Sequence, residues 1–95
     1  MGRKTYTLKL PNHMRILICL YRKNSLFVSE IAKNTGCTFS FTSFILNVLE
    51  EKKLITSKTD GRKKIIKLSQ LGFYYGKYFS EWETEMVSGN FKNIL

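Results

Sequence analysis

The chain has 95 residues, of which 43% are hydrophobic and 14% aromatic, and it carries a net charge of +9 at pH 7. This composition excludes an intrinsically disordered chain, and the length fits one domain, residues 1–95, with a modest core. No apolar run approaches the roughly 20 residues that a membrane-spanning helix needs. The first residues do not resemble a signal peptide, so we expect a soluble, cytoplasmic protein.

The positive charge is concentrated in the first two thirds of the chain. Residues 1–67 carry 14 Lys and Arg against 4 Asp and Glu, whereas residues 68–95 carry 2 against 3. Such asymmetry favours a polyanionic partner, because bound cations displace the counterions of nucleic-acid phosphates. The alternative is a basic protein that its charge merely keeps soluble. The helical pattern of the same segment favours double-stranded DNA as the partner, with no membrane involved.

The first predicted elements lead up to a pair of short helices. Residues 5–10 alternate in polarity and predict a short strand or an extended arm. Pro11 is tolerated in the first turn of a helix, and the apolar positions after it extend that helix to about residue 23. Residues 26–28 predict a brief extended step. Ser29 is then placed to cap a short helix over residues 30–34.

A longer helix follows a tight turn. Gly36 ends the short helix where a left-handed backbone is often required, and Thr38 is placed to cap the next helix, from about residue 39 to residue 52. The predicted buried row of this helix consists of Thr42, Ile45, Leu46 and Leu49. These are the parts of a helix-turn-helix, in which the second helix enters the DNA major groove.

A hairpin and a long helix complete the chain. Residues 54–56 and 63–68 predict two strands with a tight turn at Asp60-Gly61, and residues 69–89 predict a helix that ends near Ser88-Gly89. A bulky stripe recurs along this helix at three- and four-residue spacing, and we expect it to form a homodimer interface. Its members are Leu71, Tyr75, Tyr78, Phe79, Trp82 and Met86. The predicted fold class is α+β, mainly α: a winged helix-turn-helix with a two-stranded β-wing (motif and wing, residues 26–68) and a C-terminal dimerisation helix.

The candidate DNA-binding residues fall into two groups. The outward face of the second motif helix offers hydroxyl and amide groups that suit phosphates and base edges. They belong to Thr38, Ser40, Ser43 and Asn47. The hairpin offers the cations of Lys58, Arg62, Lys63 and Lys64. We expect Arg62 to enter the minor groove, because a narrow A·T-rich groove attracts arginine, and only one of the two adjacent lysines needs to face DNA.

Three phenylalanines of the same helix leave a question open. Among Phe39, Phe41 and Phe44, the last cannot share the core face of Ile45 and Leu49. Three roles are open to Phe44: contact with thymine methyl groups, packing beneath the wing, or a protein interface. The first two turns of the helix contain no Arg or Gln, so we do not expect direct readout of guanine there.

Residues 26–80 resemble the winged-helix core of MarR-type transcription regulators. The matching segments are LFVSEIAKNTGCT, LEEKKLI and DGRKKIIKLSQLG. In that family the last segment holds the wing, with an Asp and a following Arg near its tip. Asp60 and Arg62 fit those positions, and the resemblance implies that Arg62 enters the minor groove. It also implies dimerisation through helices at both chain ends. Phe44 departs from the family, which commonly has a polar or basic residue there.

No residue pattern indicates an enzyme or a metal site. His13 is the only histidine, the acidic residues form no inward pair, and the two cysteines lack the spacing of metal ligands. We expect Cys19 and Cys37 to be small buried hydrophobes, with a disulfide between them and a redox role for Cys37 left open. No cofactor, metal or small-molecule effector is expected.

The leading hypothesis is a homodimeric DNA-binding transcriptional regulator. It would place the 39–52 helix in the major groove and the 58–64 wing at the minor groove, with half-sites about 10 base pairs apart. Two alternatives stay open. An architectural protein of the same fold would bind DNA through phosphates and shape alone. A winged-helix protein-interaction module would instead use the phenylalanine patch to bind another polypeptide.

Overall fold

A computed structural model describes residues 10–88 of the chain. The elements, in chain order, are α1 (Asn12–Lys23), β1 (Leu26–Phe27), α2 (Val28–Thr35), α3 (Phe39–Glu51), β2 (Ile55–Asp60), β3 (Lys63–Leu68) and α4 (Gln70–Ser88). This architecture confirms the predicted mainly helical α+β class. Most of the strand or arm expected at residues 5–10 lies outside the described residues. No helix among residues 10–88 is long and apolar enough to cross a membrane.

The predicted two-stranded wing is present as β2 and β3, and β1 adds a third strand to its sheet. Its order is β1-β3-β2, and both pairings are antiparallel. Leu26 pairs with Ile66, and Phe27 pairs with Ile65. The extended step at residues 26–28 is therefore an edge strand in its first two residues. Its backbone N–H and C=O groups form hydrogen bonds with β3. In a separate extended segment, these groups would have only water as a hydrogen-bond partner.

Helix α2 begins earlier than predicted, and Ser29 is not its N-cap. The N-cap is Phe27, whose backbone N–H donates to Oε1 of Glu30 at 2.8 Å. A carboxylate at the third helical position thus satisfies one of the free N–H groups at the helix start. The pairing of Phe27 with β3 fixes where the extended backbone ends. Ser29 consequently lies inside the first turn of α2, with its side chain exposed.

The turn between α2 and α3 forms as predicted. Gly36 has φ 73°, in the left-handed region, and the hydroxyl of Thr38 accepts a hydrogen bond from the backbone N–H of Phe41 at 3.1 Å. The predicted buried row of α3 is confirmed at Thr42, Leu46 and Leu49. Ile45 is only half-buried, although it packs against the same core.

The core lies where the first three helices meet the sheet. Its largest fully buried aliphatic side chains are Ile16, Leu17, Leu20, Ile31, Ile55 and Ile66. Each such side chain contributes about 1.5–3 kcal/mol relative to an exposed one. Since α1, α2, both wing strands and α3 contribute to one cluster, the core holds α3 and the wing in a fixed relation.

The start of α4 is hydrogen-bonded to the connection between α3 and β2. The backbone N–H of Ser69 donates to the Leu54 carbonyl at 3.0 Å, and its hydroxyl donates to the Lys53 carbonyl at 2.7 Å. The same hydroxyl accepts a hydrogen bond from the Gly72 N–H at 3.0 Å and so caps α4. The Leu54 carbonyl thus bonds to the start of α4, and β2 begins at Ile55, one residue later than predicted.

Polar contacts also join α1 to α4. The guanidinium of Arg22 donates to the hydroxyl of Ser80 at 3.2 Å and forms a salt bridge with Glu83 at 3.0 Å. A half-exposed ion pair of this kind contributes at most about 1 kcal/mol. Close packing matters more, because a Cβ added at Gly76 would lie 3.0 Å from the Leu17 carbonyl oxygen. Helix α4 therefore lies directly against α1.

Candidate nucleic-acid interface

The outward face of α3 is defined by its buried row. At 3.6 residues per turn, Ser40 and Phe44 lie opposite the buried side chains, and Asn47 lies on the same outward face as Ser40 and Phe44. All three are exposed, whereas Ser43 is half-buried and lies toward the wing. The structure therefore places Ser40 and Asn47 on the exposed face of α3 and Ser43 at the border of that face with the wing.

A groove of about 550 Å³ lies between α3 and the wing. Phe39, Ser43 and Asn47 form part of its α3 side, and Arg62 and Lys64 form part of its wing side. The polar groups of the helix and the cations of the wing thus line one surface. This combination suits a polyanion with readable edges, because the cations can contact phosphates while the polar groups contact bases.

The strand register sorts the wing lysines onto two faces. Lys64 pairs with Thr59 and shares a face with the buried Ile66, so it lies on the side of the sheet packed against α3. Lys63 borders the groove, but its side chain belongs to the opposite face, where its ammonium lies 4.9 Å from the centre of the Phe27 ring. By the same alternation Lys58 shares that opposite face and lies outside the groove.

The wing tip presents Arg62 outward. Asp60 pairs with Lys63, which leaves a two-residue loop of Gly61 and Arg62. Gly61 has φ 67°, a conformation that a residue with a Cβ adopts only at a cost. This tight turn keeps Arg62 at the end of the hairpin, where its side chain is exposed.

The N-terminus of α3 carries the two remaining predicted residues. The Thr38 hydroxyl oxygen caps the helix, and its own hydrogen remains available to donate. Ser40 is exposed in the first turn, which contains no acidic residue. A helix N-terminus carries partial positive charge, so phosphate contacts suit both hydroxyls. Neither residue lines the α3–wing groove.

A hydrogen bond also joins the wing to α3. The hydroxyl of Ser57 on β2 donates to Oε2 of Glu50 in the last turn of α3 at 3.0 Å. Sequence reasoning missed this contact, and it also missed Phe27 and Phe39 as groove residues. The third strand brings Phe27 to the groove, and no short-range sequence signal predicts that pairing.

The phenylalanines of α3 form an exposed patch. Phe44 is 60% exposed and its ring lies 6.4 Å from that of Phe41 at an interplanar angle of 29°. Phe39 is 58% exposed and borders the groove. Of the three roles left open for Phe44, packing beneath the wing is excluded by this exposure.

The bulky stripe of α4 is largely uncovered. Leu71, Tyr75, Tyr78 and Trp82 are exposed, as are Phe73 and Tyr74, which sequence analysis left out. Two residues of the predicted stripe are less exposed than the others. Phe79 is half-buried against the core and its ring lies 6.0 Å from that of Tyr75, and Met86 is also half-buried.

The cysteines differ in their surroundings, and both are free thiols. Cys19 is buried as predicted, and burial raises the pKa of its thiol, opposed by the charges of Lys23 and Arg22. Cys37 is half-buried, so its prediction as a buried residue was wrong, because the turn leaves it at the surface edge of the core. Residues 10–88 contain no cluster of three potential metal ligands.

Solved structures share this arrangement of helices and strands. MepR, a transcription regulator of the Staphylococcus aureus multidrug efflux pump MepA, is 32% identical and matches with a TM-score of 0.67. ZitR, a zinc-responsive MarR family member of Lactococcus lactis, is 20% identical with a TM-score of 0.76. This is the winged-helix fold of MarR-type regulators. AF1382 from Archaeoglobus fulgidus has the same fold, with 24% identity and a TM-score of 0.74.

The MarR-type structures are longer than this chain. The match to MepR covers 82% of this chain and 63% of MepR, and the match to ZitR covers 95% and 65%. The match to AF1382 covers 79% of this chain and 87% of AF1382. No protein-family model and no curated protein sequence matches the chain. The MarR-type likeness therefore rests on structure.

Proposed function

We propose that this chain is a DNA-binding transcriptional regulator that acts as a homodimer. The observation that carries the proposal is the lining of the α3–wing groove. Ser43 and Asn47 lie on one side of it, and Arg62 and Lys64 lie on the other. A mutant of MepR has been solved bound to an oligodeoxyribonucleotide; it is 30% identical over 82% of this chain, with a TM-score of 0.70.

In this proposal α3 lies in the major groove, which is wide enough to admit a helix. Thr38 and Ser40 contact phosphates at the helix N-terminus, and the amide of Asn47 pairs with an adenine edge. The wing lies beside the backbone, with Arg62 in the minor groove. Lys64 contacts a phosphate from within the groove, whereas Lys58 and Lys63 act from the other face of the hairpin.

The exposed stripe of α4 supports dimerisation. A contiguous apolar surface of this kind marks a protein interface more often than free surface. Tyr78 and Trp82 lie near its middle and are exposed, so a second copy can cover them. Two-fold symmetry would then place two α3 helices in successive major grooves, about 10 base pairs apart.

Selection from a pool of random duplexes, followed by sequencing, tests the proposal. We would compare the wild-type chain, Arg62→Ala and Lys23→Ala at two salt concentrations. Lys23 is an exposed cation at the end of α1 that does not line the α3–wing groove, so it serves as the charge-matched control. Each phosphate contact contributes about 0.9 to the slope of log affinity against log salt.

We expect a pseudo-palindromic motif with the wild type and with Lys23→Ala. Arg62→Ala should bind the same motif more weakly, by roughly tenfold, because a well-placed arginine contact contributes about 1–3 kcal/mol. An equal loss of DNA affinity in Arg62→Ala and Lys23→Ala would show that binding depends on the net charge of the chain and not on the position of Arg62. Absence of binding at low salt would refute a DNA-binding function.

A second candidate is an architectural DNA-binding protein of the same fold. It is favoured by the composition of α3, FSFTSFILNVLEE, which contains no Lys or Arg to read guanine. Such a protein would bind all duplexes with the same steep salt dependence and yield no motif in the selection.

A further inference from the structure

Phe44 occupies the centre of the outward face of α3. It lies opposite the buried Thr42, Leu46 and Leu49 around the helix, and it is 60% exposed. The ring of Phe41, one turn earlier, stacks on it at 6.4 Å and 29°, which restricts where the Phe44 ring can lie. A large apolar side chain therefore lies exposed on the face of α3 opposite its buried row.

The cations of the neighbouring wing favour nucleic acid over protein as the partner of this ring. The α3–wing groove beside it is lined by Arg62, Lys63 and Lys64, and the chain has a net charge of +9. Phe44 also borders a depression with Glu50 and Glu51 of the last turn, and Asn47 lines both this depression and the α3–wing groove. The cations of the wing can bind the phosphates of a polyanion, while the exposed ring contacts an apolar group that the same polyanion displays.

The major groove of DNA displays one such group, the C5 methyl of thymine. We propose that Phe44 recognises thymine methyl groups and that this contact sets the sequence preference of the chain. The proposal rests on the DNA-binding function proposed above and names the base that the helix selects. Within α3 no arginine or lysine competes for a guanine edge, so Phe44 and the amide of Asn47 are the sources of base discrimination from this helix.

The same contact predicts an A·T-rich half-site. Asn47 follows Phe44 by three residues, which is about 4.5 Å along the helix axis, between one and two base-pair steps of about 3.4 Å. A thymine beneath Phe44 and an adenine edge beneath Asn47 would then fall on adjacent pairs. Arg62 at the wing tip prefers the narrow minor groove of A·T-rich sequence, so both elements favour the same composition.

Replacing thymine by uracil tests the proposal, because uracil lacks only the C5 methyl group. The probe is the duplex of highest affinity recovered by selection with this chain, synthesised with thymine or with uracil in each half-site. Burying one methyl group corresponds to about a fourfold change in affinity, and two half-sites give about fifteenfold. We expect the wild type to prefer the thymine duplex by this factor. Phe44→Ala should bind both duplexes equally, and Phe44→Leu should keep most of the preference.

Phe73→Ala is the matched control, since Phe73 is the same residue type with similar exposure, 52% against 60%, and lies on α4 outside the α3–wing groove. It should retain the thymine preference. Equal binding of thymine and uracil by the wild type, or an unchanged preference in Phe44→Ala, would overturn the proposal. Loss of the thymine preference in Phe73→Ala would overturn the assignment to Phe44. A wild type that binds no duplex would instead refute the DNA-binding function itself.

Discussion

Gly72→Ala tests the junction that positions α4. A Cβ at this position would overlap the Leu54 carbonyl oxygen, and it would lie 2.9 Å from the Leu54 carbonyl carbon and 3.1 Å from Cδ2 of Leu68. The Leu54 carbonyl cannot easily move away, because it accepts the hydrogen bond from the Ser69 N–H at 3.0 Å. Relief of the overlap therefore requires α4 to shift from the end of α3.

The expected loss of stability follows from three contributions. Forced overpacking costs about 1–3 kcal/mol and more where backbone is involved. Loss of the hydrogen bonds made by Ser69 to Leu54 and Lys53 adds about 1 kcal/mol each. The higher helix propensity of alanine stabilises the folded state by about 1 kcal/mol. The net expectation is a decrease of about 3 kcal/mol in the free energy of unfolding.

Urea and thermal denaturation, followed by circular dichroism at equal protomer concentration, measure this loss. For a chain of this size, 3 kcal/mol corresponds to a decrease in Tm of roughly 15 °C. Lys77→Ala, at an exposed position of the same helix, is the control and should change stability little. Helix propensity alone predicts that Gly72→Ala is stabilising. A variant as stable as the wild type or more so would therefore refute the close approach of α4 to Leu54.

Further outcomes are expected at other positions. Thr42→Val should raise the unfolding free energy by about 1–2 kcal/mol in urea denaturation, because the buried hydroxyl has no hydrogen-bond partner among the described residues. Lys53→Gly should raise it by about 0.5 kcal/mol, since Lys53 has φ 64°. Tyr78→Glu should shift a homodimer toward monomer in sedimentation velocity, since the interface would bury a carboxylate; an unchanged dimer would exclude the α4 stripe. With a thiol reagent at neutral pH, Cys37 should react before Cys19, whose raised pKa keeps the thiol protonated until higher pH; mass spectrometry identifies the labelled residue.

The sequence predicted those parts of the fold that depend on local signals. Helix caps at Thr38 and the left-handed turn at Gly36 arise from neighbouring residues, and both are present. The strand at residues 63–68 was predicted with its observed bounds, because a tight turn and a partner strand precede it. Ser29 failed as a cap since the start of α2 is set by strand pairing, which brings together residues about forty positions apart.

The candidate site was predictable in its residue types and less so in its geometry. Ser43, Asn47, Arg62 and Lys64 were named from the outward face of a helix and from a basic hairpin, and the structure lines one groove with them. The separation of Lys63 from Lys64 follows from strand alternation, but which of them lies toward α3 depends on the register with β2. That register is a tertiary property, so the sequence could not assign it.

In the proposed complex, phosphate contacts and base recognition lie on different elements, so their effects on DNA binding should be separable. The wing carries the cations, whereas α3 carries Phe44 and contains no Lys or Arg. Arg62→Ala should lower the salt dependence and weaken thymine and uracil duplexes equally, while Phe44→Ala should remove the thymine preference and leave the salt dependence unchanged. Because the core and the Ser57–Glu50 hydrogen bond hold wing and helix together, the two losses should add within about 0.5 kcal/mol. A larger deviation would show that the wing repositions α3 on DNA, contrary to a rigid unit.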